Sequence, residues 1–145
     1  MRRFFDSSVL VAVFYADHEH HDPSTKLFLE AGKDDFCALR TLGEVYATLT
    51  GLPVRPRITG ANGAAIVKQI RDRLSLISLS EQEYVSTVDS ASSAAIVGGA
   101  LYDALIAQCA VKAKADVLLT WNVRDFVRFG PHIERLVKTP LQMKV

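Results

Sequence analysis

Four carboxylates in this sequence, Asp6, Glu44, Asp103 and Asp125, have the chemical type and the placement needed to build an acidic site. Asp6 closes a short apolar stretch, and Glu44 lies in the helix after a second one. Asp103 opens a helix ahead of a further strand, and Asp125 follows that strand. Two carboxylates about 4 Å apart repel by about 4 kcal/mol at an effective dielectric of 20, and four in one cleft multiply that cost. The segments that carry them offer no Lys or His and, as a cation, only Arg124, which leaves protonation or bound cations to offset the repulsion. Oxygen donors without Cys or His suit Mg²⁺ or Mn²⁺ better than zinc. Divalent ions held by carboxylates with open positions suit phosphodiester hydrolysis: one lowers the pKa of an attacking water, and a second, if present, steadies the leaving oxygen.

Each acid also has a purely structural reading. Thr41-Leu42-Gly43-Glu44 and Asn122-Val123-Arg124-Asp125 match the capping box, and Asp6 and Asp103 can complement helix dipoles. Ser80-Glu81-Gln82-Glu83 is an equally good box to which no chemistry is assigned. The two readings converge, because acids at helix starts beyond parallel strands gather near one sheet edge.

The elements that must position these residues follow from hydrophobic spacing and punctuation. Arg2 to Phe5 reads as a buried strand ending at Asp6, and Ser7-Ser8 opens an apolar helix from Val9 to Ala16. A polar turn from Asp17 to His21 leads to Asp22-Pro23, a helix start ahead of Leu27 and Phe28, with Gly32 as its stop. Asp35 to Leu39 is a second strand. Leu42, Val45, Tyr46 and Leu49 then repeat at helical spacing, with Thr41 as the expected cap. Gly51 to Gly60, with two prolines, reads as a surface loop. Beyond it the pattern predicts a helix from about Ala61 to Leu74, a strand from Leu76 to Leu79 and a helix opened by Ser80. After the break at Gly98-Gly99 it predicts a helix from Leu101 to Ala113, a strand from Asp116 to Thr120, a short helix from Val123 to Phe129 and a last strand from Ile133 to Val137. Strands alternating with helices require long right-handed crossovers, which predicts a three-layer α/β/α fold around a parallel central sheet of four to five strands.

The chain has 145 residues, the usual size of one domain, so residues 1–145 are expected to form a single unit. Hydrophobic residues make up 49% and charged residues 23%, which excludes a disordered chain. Seventeen Lys and Arg against 16 Asp and Glu create no overall field toward nucleic acid or membrane, so any nucleic-acid partner must be held locally. Cys37 and Cys109 lie in apolar surroundings without ligand spacing and read as buried thiols. Asp6 interrupts the first apolar stretch before a signal or membrane segment can form, so no membrane association and a cytoplasmic location are expected.

Phe5-Asp6-Ser7-Ser8-Val9-Leu10, Gly43-Glu44-Val45-Tyr46, Asp103-Ala104-Leu105-Ile106-Ala107 and Leu119-Thr120-Trp121-Asn122-Val123-Arg124-Asp125-Phe126 occur in the order typical of PIN domains, and the chain resembles a VapC-type toxin. The resemblance spans nearly the whole chain. It implies an endoribonuclease dependent on Mg²⁺ or Mn²⁺ that leaves 5′-phosphate and 3′-hydroxyl ends. It makes Asp6 the central metal ligand, with Glu44 and Asp103 completing the first ion's shell directly or through water. Asp125 supports a second, weaker ion or orients water. Many relatives carry a further acid two residues before the last one; here the segment Asn122 to Asp125 is one residue longer, which puts the second metal in doubt. Asn122 and Thr120 can instead hold a water or cap the last helix, with capping expected of Asn122. The resemblance also implies a VapB-type antitoxin protein whose tail lies in an apolar groove, and a homodimer. Phe14, Tyr15 and Phe28 are candidates for that groove, although aromatics at helical spacing more often build core.

Weaker signals remain. His18, His20 and His21 lack the i, i+4 spacing of a metal pair and read as a solvated turn. Arg55, Arg57, Lys68, Arg71 and Arg73 either contact RNA phosphates or form an ordinary solvated face. Trp121 stacks a base or, as expected here, packs the sheet edge. A phosphoacceptor receiver domain needs an acidic pair after the first strand and a later Lys, which Asp6-Ser7-Ser8 and Thr120-Trp121-Asn122 do not supply. The alternatives kept are an RNA-maturation nuclease without antitoxin and a catalytically silent binding module, the latter disfavoured by the presence of all four acids.

Overall fold

The computed structural model describes residues 1–143. The chain forms β1 (Arg3–Phe5), α1 (Ser7–Phe14), α2 (His21–Glu30), β2 (Phe36–Ala38), α3 (Leu39–Thr50), α4 (Gly60–Arg73), β3 (Ser75–Ile77), α5 (Glu81–Ser93), α6 (Ala100–Lys112), β4 (Val117–Leu119), α7 (Val123–Val127), α8 (Pro131–Glu134) and β5 (Val137–Lys138), followed by a 3₁₀ turn over Pro140–Gln142. The five strands are all parallel, in the order β3-β2-β1-β4-β5, with Phe4 opposite both Phe36 and Leu118. The expected α/β/α arrangement is therefore the observed one.

Alternation along the strands splits the core in two. Phe5, Cys37, Val117 and Leu119 face one side and pack on Val9, Leu10, Leu27, Phe28, Val45, Leu49 and Ile70 of α1 to α4. Phe4, Ala38 and Leu118 face the other and pack on Ile106, Ala110, Phe126 and Ile133 of α6 to α8. The period of two in the strands thus assigns the first four helices to one layer and the later ones to the other. Cys37 and Cys109 are buried free thiols, as expected; burial pushes the Cys37 thiol up to about 12 and Cys109 to about 11, which leaves both unreactive.

Strand order reverses between β1 and β4: the chain leaves β1 toward β2 and β3, then returns across to β4 and β5. In open parallel sheets the crevice at that reversal, beyond the carboxyl ends of the strands, is where ligands bind. Asp6 and Thr120, one residue past the ends of β1 and β4, stand side by side there.

Several element ends differ from the sequence reading. Helix α3 begins at Leu39, straight out of β2, so Thr41 falls inside its first turn and caps nothing; the Thr41–Glu44 box does not form. Helix α2 begins at His21 without a side-chain cap, and Asp22 instead lies in its first turn, where it complements the dipole. The end expected as a strand from Ile133 begins with helix α8, because Gly130 at φ +105 turns the chain and Pro131 at the first helical position starts a new one. Ile133 is buried from that helix, and the strand is confined to Val137–Lys138. The Ser80–Glu83 box forms as expected, and Thr59 makes a second box with Asn62 that closes the Gly51 to Gly60 loop.

Candidate active site

Asp6 is nearly buried, at 6% exposed, and is held from both sides of the strand reversal. Its Oδ2 accepts from the Ser8 hydroxyl at 2.8 Å, the Thr120 hydroxyl at 2.8 Å and the Ser8 backbone N–H at 3.4 Å, the last capping α1. Each hydroxyl has one proton to give. Both protons go to Asp6, so the Ser8 and Thr120 oxygens accept in turn, from Trp121 N–H at 3.0 Å and Asn122 N–H at 2.9 Å. This network fixes the carboxylate and loads these hydrogen bonds onto Oδ2. Asn122 does not cap α7 with its side chain, contrary to expectation, and the Asn122–Asp125 box is absent. The turn is closed instead by the Thr120 hydroxyl, which accepts from Asn122 N–H and serves Asp6 as well.

The other three acids converge on the same edge. Burial is the largest influence on Asp6 and lifts its carboxyl above the usual range against the pull of the hydrogen bonds from Ser8 and Thr120. Glu44 is raised by burial, opposed by Arg40, with further upward pressure from Asp6 and Asp103. Asp103 is raised by burial and then by Asp125 and Asp6, against Arg128. The mutual fields link Glu44 with Asp6 and Asp103, and Asp103 with Asp125 and Asp6.

The compensating charges are not the expected ones. Arg124 makes no ion pair among the described residues. Arg40, one turn before Glu44, places its Nε 3.7 Å from Glu44 Oε1, and Arg128 Nη2 lies 3.2 Å from Asp103 Oδ2. The i, i+4 spacing of Arg40 and Glu44 was the available signal for the first. Nothing in sequence pairs Arg128 with Asp103, 25 residues away. No three His, Cys, Asp or Glu side chains among the described residues are gathered closely enough to hold one ion; Glu44 and Asp103 are instead drawn to the arginines.

The donor set nonetheless suits a hard divalent cation. All four candidates are carboxylates, and Glu44 Oε1 is buried with no hydrogen-bond partner. The side-chain hydrogen bonds of Asp6 to Ser8 and Thr120 end on Oδ2, so a cation held here would meet the carboxylate at Oδ1.

The remaining candidates separate cleanly. Trp121 packs, as expected: its indole Nε1–H donates to the fully buried Ser24 hydroxyl at 2.9 Å and its face is stacked on His20 with centroids 3.7 Å apart. The histidine turn is thus tied down rather than merely solvated, since His21 Nδ1 also lies 2.8 Å from the Ala12 carbonyl oxygen. Phe28 is buried core, with Phe14 edge-on to it, and Phe14 and Tyr15 pack on the same cluster. An apolar cleft of about 300 Å³ lies elsewhere, between Leu39, Ile77, Leu79, Tyr84, Leu105 and Ile106, and includes Arg40 in its wall. Among the basic residues, Lys68 pairs with Asp72 and Arg73 donates to the Leu29 and Ala31 carbonyls.

The PIN domain family profile matches residues 3–130. No curated protein matches the chain. Among solved structures, VapBC-1 from nontypeable Haemophilus influenzae is similar at TM-score 0.66 and 16% identity, over 98% of this chain and 100% of that one. VapBC2 from Rickettsia felis, bound to a DNA fragment from its promoter, gives 0.64 and 17% over 96% and 98%. VapC20 of Mycobacterium tuberculosis, a sarcin-ricin loop cleaving toxin, gives 0.61 and 17% over 80% and 86%. These likenesses are likenesses of fold.

Proposed function

This chain belongs to the PIN domain family, and from that premise we propose that it is a VapC-type toxin: a metal-dependent endoribonuclease restrained by a VapB-type antitoxin. The observation that carries the reading is the convergence of Asp6, Glu44, Asp103 and Asp125 at the carboxyl edge where the parallel sheet reverses its strand order. In this reading Asp6 is the central ligand, Glu44 and Asp103 complete the shell, and Asp125 orients water or supports a weaker second ion. Bound Mg²⁺ or Mn²⁺ supplies Lewis acidity and a water acidic enough to attack a phosphodiester at neutral pH.

The chain's own residues prepare that chemistry. Ser8 and Thr120 hold Asp6 in one orientation. Glu44 Oε1 is buried without a hydrogen-bond partner and faces only the Arg40 guanidinium at 3.7 Å, so a cation would satisfy it. The crowding of Asp103 by Asp125 and Asp6 raises the cost of leaving the edge without a cation. The protein relatives suggest the remainder: a structured RNA as substrate, as for the Mycobacterium tuberculosis toxin, and an antitoxin, as in the VapBC assemblies. The apolar cleft that shares Arg40 with the acidic edge suits the antitoxin's tail. Residues 1–145 act as one unit, as a homodimer in the cytoplasm; no helix among the described residues is long and apolar enough to cross a membrane.

The test is cleavage of total RNA by the purified, partner-free protein in Mg²⁺ or Mn²⁺ and in chelator, beside Asp6→Asn. The expected result is a few discrete, metal-dependent cuts that Asp6→Asn abolishes. Glu44→Gln and Asp103→Asn should lower the rate at least about 100-fold and Asp125→Asn about tenfold. Full activity in Asp6→Asn overturns the assignment. Growth arrest on expression, relieved by a co-expressed antitoxin, separates a toxin from an RNA-maturation nuclease.

A further inference from the structure

We propose that Arg40 and Arg128 are exchangeable counter-ions of the acidic edge: they pair with Glu44 and Asp103 in the metal-free protein and turn to the RNA phosphates once a divalent ion takes those carboxylates. The inference rests on the metal-dependent nuclease reading above.

The two arginines come from different elements, α3 and the end of α7, and both touch the first turn of α6. Arg40, on α3, lies with its guanidinium carbon 4.1 Å from the Tyr102 ring centroid while its Nε faces Glu44. Arg128, just after α7, donates from Nη2 to Asp103 and from Nε to the Asp125 carbonyl at 3.0 Å. Tyr102 and Asp103 are consecutive, so the guanidiniums flank one short stretch that carries a proposed ligand.

Their pairing is of a kind that exchanges. Both side chains are about half exposed, 51% for Arg40 and 43% for Arg128, and ion pairs this open to water are weak. The Arg40 contact makes no hydrogen bond, since Glu44 Oε1 has no hydrogen-bond partner despite the 3.7 Å approach. A divalent ion that takes the Glu44 and Asp103 carboxylates brings the same two positive charges as Arg40 and Arg128 and replaces them there, and a phosphodiester oxygen pair is the anion whose geometry fits the planar fork of the released guanidiniums. Several other cations have fixed employment elsewhere: Arg3 on Asp35, Lys33 on the Arg71 and Leu74 carbonyls, Lys68 on Asp72, Arg73 on helix-end carbonyls and Lys112 on Glu83.

The experiment uses the full chain with Arg40→Gln and Arg128→Gln, and the corresponding lysine variants as charge-retaining controls. Mn²⁺ binding to the metal-free protein is measured by calorimetry without RNA. Binding of a labelled 20-nucleotide single-stranded phosphorothioate RNA, which resists hydrolysis, is measured in Mn²⁺ across a salt series. Each glutamine variant should bind Mn²⁺ about threefold tighter, because a competitor for the carboxylate is gone. It should bind the RNA about five- to tenfold more weakly, with the slope of log affinity against log salt reduced by about 0.7. The lysine variants should keep the wild-type salt slope. Opposite signs for metal and RNA are what a merely structural ion pair does not produce. Unchanged or weakened Mn²⁺ binding in both glutamine variants, or unchanged RNA binding, overturns the inference while the nuclease reading stands on the wild type's own Mn²⁺ binding and cleavage. A wild type that binds no Mn²⁺ removes that reading and the inference together.

Discussion

Replacing Asp6 with asparagine preserves the shape of the side chain and its ability to accept the hydrogen bonds of Ser8 and Thr120, while removing the charge. Burial holds the Asp6 carboxyl above its unfolded value of 3.8, so the ionised form costs folding free energy at neutral pH. Asparagine relinquishes part of this gain, because it caps α1 without a charge for the helix dipole, a loss of about 0.3–1 kcal/mol. The expected balance is a variant more stable than wild type in chelator at pH 7, read as a higher Tm and a higher urea midpoint. The sign against pH follows from the raised value. A carboxyl that binds its proton more tightly when folded contributes most stability below its unfolded pKa and loses it as pH rises. The gap between Asp6→Asn and wild type should therefore open above about pH 4 and level off once Asp6 is ionised in the folded protein. Saturating Mn²⁺ should reverse the order, since an ion at 100 times its Kd adds about 2.7 kcal/mol to the wild type alone. Thermal and urea unfolding from pH 4 to 8, with chelator and with Mn²⁺, measures all of this. An Asp6→Asn protein no more stable than wild type at pH 7, with a gap that does not move with pH, refutes the reasoning.

Asp35 should behave in the opposite sense. Burial pushes its carboxyl up, but hydrogen bonds from the Arg3 side chain and from the Gly32 and Arg3 backbone N–H groups, together with the Arg3 charge, outweigh it and leave it lowered. Asp35→Ala should cost about 2–3 kcal/mol in urea unfolding at pH 7, with the difference shrinking as pH falls below about 4. Thr41→Val should be neutral or stabilising by up to about 1 kcal/mol by the same assay, because the buried Thr41 hydroxyl has no partner to lose. Trp121→Phe and Ser24→Ala should each cost about 1 kcal/mol by breaking the indole bond, and the double variant should cost clearly less than their sum. Full additivity in that cycle excludes the bond as a contributor.

How much of this was legible beforehand depends on whether the determinant was local. Short continuous apolar runs such as Arg3–Phe5 and Val117–Leu119 read as buried strands and period-3.6 runs such as Leu42 to Leu49 as helices, so the alternation of strands and helices and the parallel sheet followed from sequence. The nearness of the four acids was expected on the same ground, because a parallel sheet gathers its strand exits and the helix entries beyond them at one edge. Caps were less legible. Thr41 and Asn122 carry good capping chemistry, but α3 starts directly from β2, and at α7 the Thr120 hydroxyl reaches Asn122 N–H first. The strand expected from Ile133 had the same cause, since an apolar residue buried from a one-turn helix is indistinguishable by period from one in a short strand.

The sequence by itself determined the layers, the sheet and the identity of the acids, since each rests on spacing within a dozen residues. Tertiary structure alone decided what surrounds the acids. Thr120 and Ser8 meet at Asp6 across 112 residues of chain, and Arg128 reaches Asp103 across 25. Those partners are chosen by which strand ends become neighbours at the reversal of strand order, a global property that no local pattern encodes. The bond from Thr120 to Asp6 and the Arg128 charge beside Asp103 are therefore products of the fold.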